Sequence, residues 1–73
     1  GQNDKAAATL VKAAKSANNA SLSPLFYLQA GQIYEELGQK DVALECYETI
    51  KREYPQSQMV QVGEVVKYIE RLK

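Results

Sequence analysis

The sequence predicts an all-α fold, a solenoid-type segment of about four antiparallel helices. Two observations carry the prediction. Tyr27, Ala30, Gly31, Tyr34, Ala43, Tyr47 and Pro55 form one spaced pattern: aromatic-x2-small-Gly-x2-Tyr, then Ala-x3-Tyr, then Pro. In addition, Gly1-Gln2-Asn3-Asp4-Lys5-Ala6 shares its Gly, Gln, Asp and Ala with Gly38-Gln39-Lys40-Asp41-Val42-Ala43, 37 positions on. A repeat of that length is the mark of stacked helical pairs.

The first helix is expected over residues 3–18, where Ala7, Leu10, Val11, Ala14 and Ala17 draw one apolar stripe. Its alanines favour helix but leave little area to bury. Asn18-Asn19-Ala20-Ser21-Leu22 reads as a loop. Ser23 is expected to cap the second helix, with Pro24 at its first position, where a missing N–H is harmless. That helix should run from Pro24 to about Leu37 and end at Gly38 in the left-handed conformation.

Asp41 opens the third helix, near the positive end of its dipole. Ala43, Leu44, Tyr47, Ile50 and Tyr54 form its stripe, and Glu48 is expected to reach Arg52 one turn on. Gly31 and Ala43 are small where the second and third helices should cross, and Tyr27, Tyr34 and Tyr47 should fill the space around that crossing. Pro55 stops the third helix. Ser57 suits the cap of a fourth helix over 58–72, with Met59, Val62, Val65, Val66, Ile69 and Leu72 inward and Glu64, Lys67, Glu70 and Arg71 wet.

Seventy-three residues make one small domain, close to the size at which a core alone sustains folding. Nine basic and nine acidic side chains cancel, which argues against a nucleic-acid partner. Residues 35–53 lean acidic, a feature that suits either a solvated helix face or attraction of a basic partner. Histidine is absent and Cys46 stands alone. Zinc quartets, an intramolecular disulfide and His-dependent nucleophilic catalysis are therefore closed, and no cofactor or metal site is expected. Cys46 reads as a small packing residue, with a reactive or intermolecular thiol as the alternative. Adjacent carboxylates such as Glu35 and Glu36 diverge by about 100° on a helix, so an enzyme is not expected. No stretch has the ~20 apolar residues of a membrane span, and no membrane contact by this segment is expected.

Pro24 to Ser57, 34 residues, resembles a tetratricopeptide repeat (TPR), the 34-residue antiparallel helix pair. Ala30 departs from that pattern, where leucine is usual, as does Ile50, where alanine is usual; their opposite size changes suggest mutual repacking. On this resemblance, residues 1–20 are the second helix of a preceding repeat, 24–57 a complete repeat, and 58–73 a capping helix of a fragment from a longer array. The Tyr54-Pro55-Gln56-Ser57 turn and the tail Lys67-Tyr68-Ile69-Glu70-Arg71 are similar to the ends of bacterial cell-envelope TPR proteins. The resemblance implies an inner-membrane-anchored parent with periplasmic repeats.

The family implies a non-catalytic scaffold for protein or peptide partners. Its groove-facing positions fall on Leu25, Leu28, Gln32, Glu35 and Glu36, apolar at one end and acidic at the other. Such a surface rejects a C-terminal carboxylate, which needs several cationic donors, and suits an apolar segment with basic flanks. The alternative is that Leu25 and Leu28 pack on a neighbouring helix and the segment is a structural end-cap or self-association module. A truncated array should also leave Leu10, Val11, Ala14, Leu25 and Leu28 uncovered, which predicts a homodimer driven by truncation.

Overall fold

The computed structural model describes residues 2–73. Five helices follow in order: α1 (Gln2–Ala17), α2 (Ser23–Glu36), α3 (Lys40–Glu53), α4 (Gln58–Gln61) and α5 (Glu64–Leu72). α1 packs on α2, α2 on α3, and α3 on α5, so each long helix lies against its predecessor in the sequence. The described residues contain no strand. Gly1, the first residue of the earlier hexapeptide, lies outside the described residues. The two hexapeptides meet directly, because Gln39 Nε2 donates to Asp4 Oδ1 at 3.1 Å.

The α1–α2 loop is organised by two asparagines and a serine. Asn18 ends α1 with φ 41°, a left-handed conformation that asparagine tolerates better than most side chains. Asn19 Oδ1 accepts from the backbone N–H groups of Ser21 at 2.7 Å and Leu22 at 3.0 Å, closing a local turn. Ser23 is not the cap of α2; Leu22 holds that position. The Ser23 hydroxyl is fully buried, donates to the Ala14 carbonyl at 2.8 Å and accepts from Asn19 N–H at 2.8 Å. It ties the end of α1 to the start of α2 instead of satisfying its own helix. Pro24 does sit in the first turn of α2, and Gly38 follows its end at φ 79°.

The middle pair is built on one close approach. A Cβ added to Gly31 would lie 2.5 Å from Tyr47 Cε1, so only glycine admits that ring against α2. Tyr47, Ala43, Ile50 and Ala30 are completely buried, and Tyr27 nearly so, whereas Tyr34 is only half-buried. The interior divides into two clusters. Ala7, Ala30 and Cys46 pack together near one end. Ala14, Tyr27, Leu28, Tyr47, Ile50, Val65 and Ile69 belong to the other. Ala30 and Ile50 thus fall in separate clusters, and their unusual sizes suit different surroundings rather than each other.

The fourth predicted helix is broken. α4 ends at Gln61, Val62 caps it, and Gly63 turns left-handed at φ 82° before α5 begins. The apolar period predicted one helix over 58–72, but the kink rotates α5 so that Val65 and Ile69 go inward and Val62 is left 66% exposed. Arg52 does not pair with Glu48. It lies 3.3 Å from Glu53 and 3.8 Å from Glu45, while Glu48 faces Lys73 at 3.9 Å. All these side chains are well exposed, so the pairs contribute little.

Candidate peptide-binding face

The five groove positions lie on α2, yet they do not form one surface. Leu25, Gln32 and Glu36 are exposed and share a strip by their spacing of seven and four residues. Leu25 is the apolar member, 39% exposed. Leu28 is buried in the larger cluster and leaves only 8% of its surface open. α2 has a broader buried side than one partner would need, because its residues also meet the cluster that α5 completes.

The Glu35 carboxylate is mostly covered and engages two partners within the chain. Tyr47 donates its hydroxyl to Glu35 Oε1 at 2.6 Å, and Arg71 Nη2 lies 2.6 Å and 2.7 Å from the two carboxylate oxygens. The Arg71 guanidinium also sits 4.9 Å from the centre of the Tyr68 ring, and that ring is 5.3 Å from the Tyr47 ring at 33°. Four side chains from α2, α3 and α5 therefore form one network. The acidic half of the predicted surface reduces to Glu36, since Arg71 neutralises Glu35. Arg71 is exposed, as its place on the wet face predicts, and still reaches Glu35. No local periodicity links it to Glu35, 36 positions away.

Burial dominates the protonation behaviour around this network. The Tyr47 phenol is pushed far above its usual range, first by burial and then by its hydrogen bond to Glu35. Burial likewise raises Tyr27 and Tyr34. The Cys46 thiol is pushed up to about 11 by burial, with Glu45 adding and Lys15 opposing. A thiol so protonated and so covered is a packing group with little thiolate character at neutral pH.

Two open grooves lie away from the α2 strip. One of about 480 Å³ runs between α1 and α3, with Val11, Tyr27 and Cys46 along it and Lys15, Arg52 and Glu53 at its edges. Another of about 810 Å³ lies between the α1–α2 loop and the turn after α3, around Ser21, Tyr54, Pro55 and Met59. Among the described residues no cluster of His, Cys, Asp and Glu is arranged to hold a metal ion. Among the described residues no helix is long and apolar enough to cross a membrane.

Residues 26–57 match the tetratricopeptide repeat family profile. That span takes in α2 from Phe26 onward, α3 and the turn ending at Ser57, so the middle pair and its Gly31–Tyr47 crossing form a TPR region. No curated protein and no solved structure matches the chain. Tetratricopeptide repeats are in general scaffolds for protein–protein interaction.

Proposed function

We propose that this chain is a TPR module that holds an extended protein segment along the exposed strip of α2. The observation that carries the reading is the combination of open Leu25 with the polar Gln32 and the carboxylate of Glu36 on one face. Leu28 and Glu35 act from beneath, Leu28 as packing support and Glu35 by fixing α2 against α3 and α5. The ligand is an apolar segment with basic flanks; an acidic C-terminus finds no cluster of cations there. In this reading residues 1–20 serve as the second helix of a preceding repeat, 24–57 as the complete repeat, and 58–73 as the closing cap.

The parent is proposed to be an inner-membrane-anchored protein of the bacterial cell envelope with its repeats in the periplasm. The Tyr54-Pro55-Gln56-Ser57 turn and the tail around Lys67–Arg71 support that placement. A buried, protonated Cys46 suits an oxidising compartment because it presents no reactive thiolate.

A second reading has its own observation. Glu35 and Leu28 are both consumed internally, which suits a purely structural end-cap. Fluorescence anisotropy with labelled peptides separates the two. Weak, saturable binding of a Leu-rich peptide with Lys/Arg flanks, lost in Leu25→Lys, supports the ligand reading. Absence of binding by that peptide at millimolar protein supports the end-cap. Tight binding of an Asp-terminated peptide alone would reverse the assigned polarity.

A further inference from the structure

α5 is held mainly by its seat on α3. A nine-residue helix has too few turns to persist in water by itself. Val65 and Ile69 enter the cluster with Tyr47 and Ile50, Tyr68 rests near the Tyr47 ring, and Arg71 closes on Glu35. The connection leading to it is slight: a four-residue α4, an exposed Val62 and a left-handed Gly63. Met59, Val62, Val66 and Ile69 keep an apolar spacing across the break. The sequence therefore also suits one straight helix from Gln58 to Leu72, reached when Gly63 moves from the left-handed to the right-handed region, a change that glycine makes cheaply.

We propose that α5 is exchangeable, and that its seat on α3 also receives α5 from a second copy of this chain. Straightening at Gly63 carries α5 away from its own Tyr47 and Ile50. The vacated seat fits a helix with this pattern of Val, Tyr, Ile and Arg, and an identical copy supplies it. Charge selects the same occupant, because the Glu35 carboxylate and Tyr47 hydroxyl await a guanidinium at the far end of the incoming helix. The closed monomer and the swapped dimer share these contacts and differ in the hinge, so hinge conformation and concentration decide between them.

Two arms on the full 73-residue chain test this. In Gly63→Ala the added Cβ meets nothing within 4 Å, so the change acts on backbone conformation alone. A left-handed alanine disfavours the closed turn about tenfold per copy, which lowers the dimer dissociation constant about a hundredfold by sedimentation equilibrium. In the second arm, Glu35→Arg and Arg71→Glu chains are mixed. Each chain alone opposes like charges in its own seat, whereas the mixed swapped dimer restores an Arg–Glu pair in both seats. An equimolar mixed dimer far more abundant than either homodimer is the expected result. A G63A chain that stays monomeric at millimolar concentration overturns the proposal, as does a mixture without preferential mixed dimers. The hinge arm stands whether or not either charge variant folds.

Discussion

One nitrogen of Arg71 bridges both carboxylate oxygens of Glu35, at 2.6 Å and 2.7 Å, and so fastens α5 to α2 across the top of α3. The two ends of that bond are unequal. Arg71 is more than half exposed and Glu35 is mostly covered. Removing the guanidinium by Arg71→Ala should therefore cost only about 0.5–1 kcal/mol after solvent screening. Glu35→Ala also strips the acceptor from the fully buried Tyr47 hydroxyl and should cost about 1–3 kcal/mol. Urea unfolding of the two variants and their double mutant checks the ranking; equal losses would mean that the hydroxyl finds another acceptor.

Gly31 tests the TPR crossing. The nearest atom to its absent side chain belongs to the Tyr47 ring, which has no exposed edge to swing toward. Even Gly31→Ala requires the helices to part, and Gly31→Leu should overpack the crossing by about 1–3 kcal/mol or more. For a domain of this size each lost kcal/mol lowers the melting temperature by about 4–8 °C. An unchanged thermal midpoint for G31L would contradict the contact.

The crossing was legible in the sequence because its members repeat at fixed spacing and a single glycine marks the close approach. The same holds for the turn at Gly38. What escaped was set by tertiary neighbours. The apolar period through Met59, Val62 and Val66 outweighed Gly63, although a lone glycine inside a helical pattern was the available warning of a break. Ser23 carries a residue type that favours capping, yet the approach of Ala14 gave its hydroxyl a different acceptor. The position of Glu35 on α2 was correctly placed, but its availability depended on Arg71 from another helix. Ala14 and Leu28 were expected to lie uncovered, and α1–α2 packing and the larger cluster bury both.

Alkaline stability should follow Cys46 first and Tyr47 next. A thiol with an ordinary value of 9.0 and a folded value near 11 stabilises the fold fully below pH 9.0. That contribution is lost as pH rises from 9.0 through about 11, by about 2–3 kcal/mol when complete. Tyr47 extends the loss above pH 10.0, since its folded value is also raised. Cys46→Ala should move the onset upward toward the tyrosine range. Urea midpoints that stay flat for the native chain through about pH 11 would show the thiol to be accessible.

The exposed strip of α2 yields the sharpest contrast between neighbouring leucines. Leu25 and Leu28 are one turn apart and chemically identical, but Leu25 is 39% exposed and Leu28 only 8%. Leu28→Ala removes packing from the larger cluster and should cost about 2–5 kcal/mol. Leu25→Ala should change stability by less than about 1 kcal/mol, because its side chain belongs to neither buried cluster and is already partly in water. Peptide binding should show the opposite order. L25A should weaken capture of a basic-flanked apolar peptide with the fold intact, and Glu36→Lys should weaken it further at low salt. Glu36→Gln should remove only the salt-dependent part, since it keeps the shape and loses the charge. If L25A and E36K both bind as the native chain does while the peptide still associates, the ligand lies elsewhere, and the groove between α1 and α3 becomes the surface to mutate next.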